Sequence, residues 1–271
     1  MLELMFLPFV ACLILTGIHA YLGIHVIERE VIFVDLALAQ IAALGAIVAF
    51  IFGMELHSTP AYLFSLGFTF IGATIFSLTR LKERKISQEA IIGIVYAVTA
   101  AAAIIALDSA PSEAKHIEYM LVGNILFVQW PEIIKMAILY SIIGIFHFLY
   151  RRKFLLISLD PEEAQRQKIP IRWWDFLFYA TFGVVVTSSV EIAGVLLVFS
   201  YLIVPAVAAI LLSDKLKVRL LLGWLIGSVT SFIGLYLSAT LNFPTGAAIV
   251  CTFGIVVVAV ALFKKLVIKQ I

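Results

Sequence analysis

The chain has 271 residues, of which 63% are apolar and only 13% are charged, and its formal net charge is +2. Soluble domains are about 45–50% apolar and about 25% charged, so this composition excludes an ordinary soluble fold. Nine membrane spans of about 20 apolar residues would use most of the chain. The composition therefore predicts a polytopic membrane protein with a single transmembrane domain over residues 1–271 and no separate soluble domain.

Nine apolar stretches are predicted to be membrane-spanning helices, because they are continuous rather than alternating and lipid cannot satisfy an open backbone. The fold class is all-α, a bundle of about nine helices, and the polar residues 187–191 leave open a broken or re-entrant helix and a count of eight. Residues 112–130 are interpreted as an external loop with an interfacial or re-entrant turn anchored by Trp130. In chain order the predicted spans are residues 4–26, 33–53, 60–79, 88–107, 131–150, 174–189, 192–212, 219–239 and 244–263.

Basic residues are unevenly divided between the two sets of connections. Of 19 Lys and Arg residues, all but Lys115 and Lys135 fall in one set, which includes residues 80–85, 151–172 and the C-terminal tail. By the positive-inside rule this set is cytoplasmic. The N-terminus is then outside and the C-terminus inside a plasma (inner) membrane, which requires an odd number of spans.

Sequence signatures of catalysis and nucleotide binding are missing. The dipeptide Gly-Lys does not occur, so there is no P-loop, and no His is followed by Glu, which excludes a zinc-protease motif. The two cysteines, Cys12 and Cys251, form no metal-binding or disulfide pattern. These observations predict a chain that is not an enzyme and binds no cofactor.

A few polar residues lie inside predicted spans, where burial is costly enough to suggest a function. Asp35 and Gln40 lie near the cytoplasmic start of the second span, and Glu191 lies near the outer side beside Ser188 and Ser189. These five residues are the candidate substrate pathway. The alternatives are a hydrated interfacial position for Asp35 and a wet outer vestibule for Glu191.

Three other ionisable residues are explained by local structure. Glu89 follows Ser87 at the start of the fourth span, where the helix dipole favours a carboxylate. His19 and His147 are interpreted as packed or interfacial polar residues rather than ligands.

The most basic connection contains a short predicted helix. Asp160 can cap it, Pro161 suits its first position, and Glu163 stands at the capping-box spacing. Pro170 is predicted to end this helix after about eight residues. The segment of about 151–172 is therefore either a docking element for a cytoplasmic subunit or an interfacial helix without a partner.

Four segments of the chain resemble the permease subunit of the zinc, manganese and iron uptake ABC transporters. Residues 89–95 resemble the opening of the family's fourth span, and residues 157–164 resemble its cytoplasmic S-x-D-x-x-x-A loop. Residues 38–45 (LAQIAALG) resemble its L-A-H-A-S-L-L-G stretch. The most specific match is residues 194–206 (GVLLVFSYLIVPA), which resemble its signature G-x-L-L-V-x-x-L-L-I-x-P-A.

This resemblance implies an importer of a divalent transition metal (zinc, manganese or iron) or of a chelate. The implied assembly is a homodimer of permeases in membrane lipid with two copies of a P-loop ATPase, which bind the ATP, and an extracytoplasmic solute-binding protein, but no nucleic acid. ATP-driven closure would switch the access of the pathway through a coupling helix. By the resemblance, this coupling element consists of Asp160, Pro161, Glu162, Glu163 and Ala164.

The chain departs from the family pattern on the second span. The family places Asp and His four residues apart on one helix face, where an ungapped alignment here puts Leu36 and Gln40, with Asp35 turned by about 100°. Neither leucine nor an amide suits zinc, so the metal ligands are unknown. The family's Gly after the coupling Ala is here Lys168. Two alternatives stay open: a secondary transporter with Asp35 or Glu191 as its ion-coupling carboxylate, or a membrane component that moves no free metal.

Overall fold

The computed structural model describes residues 2–55, 58–80, 86–108 and 125–268, and within these ranges all regular structure is helical. A short 3-10 turn, Ile125–Phe127, precedes the fifth helix. The helices are α1 (Leu2–Glu28), α2 (Val34–Ile51), α3 (Thr59–Leu78), α4 (Gln88–Asp108), α5 (Trp130–Leu149), α6 (Arg151–Leu159), α7 (Pro161–Arg166), α8 (Ile171–Ala193), α9 (Val195–Leu212), α10 (Leu216–Leu241) and α11 (Thr245–Ile268).

Nine helices among the described residues, α1–α5 and α8–α11, are long and apolar enough to cross a membrane. This confirms the predicted all-α membrane bundle. The largest difference is α8, which has 23 residues and contains the polar run 187–191. The alternative of a broken helix there is wrong: α8 is continuous to Ala193. The next residue, Gly194, has a φ of +78°, a conformation that would strain a residue with a side chain.

The predicted external turn is described only from Ile125, because residues 109–124 lie outside the described ranges. Ile125 and Val128 are buried beside the 3-10 turn. Trp130 is exposed at the start of α5, and its ring lies 6.4 Å from that of Phe6. Its role as an interfacial anchor stays a prediction.

The chain divides into two compact units. The first contains α1, the first part of α5 and α9–α11, and its helices approach closely at glycines. Gly223 contacts Ala20, Gly227 faces Thr16, and Gly234 lies against Ile249. Small residues at such crossings let backbones come close enough for dispersion contacts, which drive helix association in lipid.

The second unit contains α2–α4, the last part of α5, and α6–α8 up to Glu191. α2 packs on α3 at Gly45, which meets the backbone of Ser65, and on α4 through Ile47 and Ala103. α8 lies against α3, where the hydroxyls of Thr69 and Thr187 are 3.2 Å apart. All the residues of the candidate pathway and of the coupling segment belong to this unit.

Candidate functional site

Asp35 lies in the first turn of α2, and its side chain is buried by protein. Its Oδ1 has no hydrogen-bond partner in the described part of the chain. The positive end of the helix dipole favours a carboxylate at this position. A buried carboxylate oxygen without a partner is nevertheless costly, so Asp35 is suited to meet a cation there.

Gln40 lies five residues after Asp35 on the same helix and is half-buried, as is Leu36. Five residues of helix correspond to a rise of about 7.5 Å and a turn of about 140°. The two oxygen donors of α2 therefore point to different faces, and α2 alone does not bring them together.

Ser188 and Ser189 are buried in α8, and both hydroxyls donate to the carbonyl oxygen of Val185, at 3.0 and 2.7 Å. Beyond those bonds a serine hydroxyl offers only oxygen lone pairs, which suit a cation rather than an anion. Glu191 is exposed in the last turn of α8.

The structure places the predicted pathway residues at two different levels along α2 and α8. A Cβ on Gly183 of α8 would lie 3.7 Å from Cδ1 of Leu38 of α2, so the two helices are at the same level there. They run in the same direction, because Arg29, just before α2, pairs with Asp175 near the start of α8. Asp35 then lies about 4.5 Å below this level and Glu191 about 12 Å above it.

No group of three or more His, Cys, Asp or Glu residues within the described ranges could hold a metal ion. Asp35 and the group Ser188, Ser189 and Glu191 therefore do not form one such ligand set.

Glu89, His19 and His147, which the sequence explains by local structure, have local partners in the structure. Glu89 lies in the first turn of α4, and its Oε1 also accepts the Phe33 N–H at 3.0 Å, which caps α2. His19 donates from Nδ1 to the Leu15 carbonyl at 2.9 Å. The Nε2 atom of His147 lies 2.8 Å from the hydroxyl of Thr181.

The predicted cap of α7 is confirmed, since Asp160 Oδ1 accepts the Glu163 N–H at 2.9 Å. The reciprocal bond of a capping box is not formed. The Asp160 N–H donates instead to the Leu156 carbonyl of α6, at 2.9 Å. The Glu163 carboxylate is left to accept from Gln167 at 2.8 Å and to pair with Arg166 at 3.0 Å.

α7 has six residues, and its end differs from the prediction. It ends at Arg166, Lys168 follows with a φ of +57°, and the Ile169 N–H donates back to the Ala164 carbonyl at 3.1 Å. This pattern is a Schellman C-cap, a position that favours glycine. Pro170 does not end α7 but directly precedes α8, and its carbonyl accepts the Trp173 N–H of the first turn of α8 at 3.1 Å.

Lys168→Gly is expected to raise the stability of the protein by about 1 kcal/mol, because it removes the strain of a left-handed residue with a Cβ. The measurement is the thermal unfolding midpoint of the purified protein in detergent. Gln165→Gly, inside α7, is the matched control and is expected to lower the midpoint. Equal shifts at the two positions would contradict the Schellman assignment.

The sequence analysis did not predict α6, a nine-residue helix just before α7. Its buried residues are Phe154, Ile157 and Ser158, with the spacing of one helix face, while residues 151–153 are exposed. This amphipathic spacing is the signal that could have revealed the helix.

Phe154 anchors α6 among aromatic side chains. Its ring stacks on that of His147, with centroids 4.2 Å apart and planes at 8°, and meets Trp174 edge-on at 5.4 Å. The ammonium of Lys153 lies 4.4 Å from the Trp174 ring. Such aromatic pairs contribute about 0.5–1.5 kcal/mol beyond burial, so α6 is held firmly against α5 and α8.

A buried ion cluster lies beside α6, and we call Arg29, Arg80, Asp175 and Ser158 the arginine cluster. The Asp175 carboxylate is fully buried and accepts from Nη1 of Arg29 at 2.7 Å and from Nη1 of Arg80 at 2.6 Å. Nε of Arg29 donates to the hydroxyl of Ser158 at 2.8 Å. The guanidinium of Arg29 also lies 3.9 Å from the ring of Phe178.

The arginine cluster places two guanidinium groups around one carboxylate. Burial lowers the pKa of Arg29, and the negative charge of Asp175 opposes this shift, so the guanidinium stays protonated. The sequence analysis did not single out Asp175. The available signal was a single carboxylate within an apolar run.

Comparison with known proteins gives one consistent result. Residues 1–264 match the ABC 3 transport family. A manganese transport system membrane protein of Listeria innocua is 30% identical over 75% of this chain and 74% of its own length. A probable iron transport system membrane protein of Haemophilus influenzae is 26% identical over 86% of this chain and 80% of its own length.

Among solved structures, the chain is similar to the PsaBC complex of Streptococcus pneumoniae bound to a Fab. The TM-score is 0.76 at 22% sequence identity, and the match covers 95% of this chain and 91% of that one. At this identity the likeness shows a shared fold.

Proposed function

This chain belongs to the ABC 3 transport family, and from that premise we propose that it imports a divalent transition metal, manganese before zinc, by alternating access driven by a separate ATPase. The chain is a multi-pass membrane permease and not an enzyme. The observation that carries the choice of cargo is the chemistry of the candidate pathway, in which every donor is an oxygen atom.

Oxygen donors favour manganese over zinc. Asp35, Gln40, Ser188, Ser189 and Glu191 offer carboxylate, amide and hydroxyl oxygens. Carboxylates and carbonyls suit Mn²⁺, whereas zinc prefers imidazole and thiolate ligands. The manganese and iron transport named for two relatives supports the same class of cargo.

The separation of the inner and outer donors supports alternating access. Asp35 lies toward the inner end of α2 and Glu191 lies at the outer end of α8, so one ion cannot contact both at once. We propose that the ion meets the outer donors while the pathway is open outward and Asp35 after it opens inward. Ligands that bind the ion weakly and one group after the other allow its release as well as its capture.

α7 is the proposed contact with the ATPase. Glu162 is exposed, Glu163 is half-buried, and Ala164 is fully buried, so α7 offers carboxylates on one side and a fixed packing contact on the other. We place α7 in the cytoplasm, with the N-terminus outside and the C-terminus inside the plasma membrane. A second permease copy and an extracytoplasmic solute-binding protein complete the proposed assembly.

The test is uptake of Mn²⁺ by proteoliposomes that contain the permease and its co-purified ATPase. Glu162→Lys combined with Glu163→Lys is expected to release the ATPase and to lower ATP-dependent uptake at least about tenfold, because it reverses the charge of the proposed contact surface. Asp214→Lys, another exposed acidic residue, is the control and is expected to retain the ATPase.

Three results of this assay would contradict the proposal. Uptake that needs an ion gradient but no ATP would favour a secondary transporter. Uptake of Zn²⁺ in preference to Mn²⁺ would refute the cargo. A stable ATPase complex that moves no metal would favour a membrane component without transport activity.

A further inference from the structure

We propose that the arginine cluster is the joint through which movement of α7 reaches the membrane-spanning helices, with Asp175 as its positioning residue. This inference rests on the proposed function, since it assumes that an ATPase moves α7. It assigns a role to residues that lie outside both the pathway and the contact with the ATPase.

α6 and α7 form one elbow, whose two helices meet at Asp160. Asp160 is shared by both helices: its N–H donates to Leu156 of α6, and its carboxylate accepts from Glu163 of α7. With no residue between the two helices except Asp160, a displacement of α7 turns α6 with it. On the α6 side of the elbow, the ring of Phe154 is buried and fixes the position of the helix.

Ser158 of the elbow accepts a hydrogen bond from Arg29 within the arginine cluster. The Ser158 hydroxyl donates its proton to the Phe154 carbonyl at 2.9 Å, so toward Arg29 it can only accept. The Nε–H of Arg29 provides that bond from the turn before α2. Ser158 is two residues from Asp160, at the end of α6 nearest α7.

The Asp175 carboxylate joins three parts of the second unit. Arg29 lies in the turn before α2, Arg80 follows α3, and Asp175 itself belongs to α8. Because both guanidinium groups bind the same buried carboxylate, neither can shift without changing the bonds of the other. A movement of Ser158 is therefore passed to α2, α3 and α8 together.

The Arg29 guanidinium has a donor to spare, so it can exchange one hydrogen-bond acceptor for another. Nη2 of Arg29 is buried and has no hydrogen-bond acceptor among the described residues. A guanidinium has five donors in a rigid fork, so a small rotation exchanges one acceptor for another without loss of charge pairing. In this proposal Arg29 moves to a second hydrogen-bonding arrangement, since transmission between sites requires an element with two discrete arrangements.

The test compares Ser158→Ala with Ser200→Ala in the full permease–ATPase complex. Ser200 is a matched control, because it is also buried and donates to the carbonyl four residues earlier, at 2.8 Å, but it belongs to α9 of the first unit, whereas the cluster belongs to the second. Both variants remove one hydroxyl and one local bond. Only Ser158→Ala removes the acceptor for Arg29.

Two readouts are taken from each complex: uptake of Mn²⁺ per ATP hydrolysed, and hydrogen exchange with and without a non-hydrolysable ATP analogue. In the wild type and in Ser200→Ala, nucleotide is expected to change exchange both in α7 and around Asp175. In Ser158→Ala the change is expected to stay in α7, and uptake per ATP is expected to fall about tenfold, since a bond to a charged group is lost.

Arg29→Lys is the second variant and keeps the positive charge that folding needs. A lysine ammonium cannot donate hydrogen bonds to both Ser158 and Asp175 as the planar guanidinium does. Arg29→Lys is therefore expected to reproduce the effect of Ser158→Ala. The double variant is expected to be no worse than either single one, because both interrupt the same link.

Equal values for Ser158→Ala and Ser200→Ala in both readouts would overturn the inference. A purely structural role would lower the amount of complex but would leave uptake per ATP unchanged. If the wild-type complex takes up no Mn²⁺, the proposed cargo fails, and hydrogen exchange, which needs no cargo, still decides whether the cluster transmits movement.

Discussion

Gly23→Ala is expected to leave little folded protein, whereas Gly17→Ala is expected to be tolerated. A Cβ on Gly23 of α1 would overlap the carbonyl oxygen of Leu202 on α9 and lie 3.0 Å from Cβ of Ala206. A backbone atom cannot rotate away as a side chain can, so α1 and α9 would have to separate. We expect a loss of at least about 4 kcal/mol, the range of severe core mutations.

Gly17 provides the control on the same helix. A Cβ there would meet nothing within 4 Å, and alanine favours a helix over glycine by about 1 kcal/mol. The measurements are the yield of monodisperse protein in detergent and its thermal unfolding midpoint. Similar yields for the two variants would show that α1 and α9 do not approach each other as described.

Asp175→Asn is expected to destabilise the permease by about 3–5 kcal/mol even in the absence of the ATPase. Asparagine has the same shape as aspartate, but it leaves Arg29, whose side chain is 1% exposed, without the charge that compensates its burial. Arg80 loses the same partner. The measurement is the thermal unfolding midpoint of the purified chain.

Two further variants separate charge from position in this prediction. Asp214→Asn removes a carboxylate that is fully exposed and 3.7 Å from Arg219, and it is expected to leave the midpoint unchanged. Replacement of Arg29, Arg80 and Asp175 together by methionine and leucine is expected to restore most of the stability, as apolar substitutes for buried ion clusters do. A midpoint for Asp175→Asn equal to that of Asp214→Asn would contradict the role of the cluster.

The spans and the cap of α7 could be predicted because both depend on local sequence. About 20 apolar residues cross the hydrocarbon core whatever their neighbours are. Asp160 caps the helix that follows it through a bond only three residues long. Such interactions need no knowledge of the rest of the fold.

The polar run in α8 was difficult to interpret from the sequence because the partners of its hydroxyls were unknown. Ser188 and Ser189 donate to the Val185 carbonyl of their own helix, and Thr187 meets Thr69 of α3. Hydroxyls satisfied in this way do not interrupt a helix. The helix therefore continues to Ala193.

The sequence by itself determined that this chain is a multi-pass membrane permease, with nine candidate spans in the part that the structure describes, and that it has a capped short helix, since hydrophobic length and capping act over a few residues. Only the tertiary structure joined Arg29 to Asp175, which are 146 positions apart in the chain, and set the levels at which α2 and α8 meet. Those relations depend on which helices are neighbours and at what level they meet, and helix packing decides both.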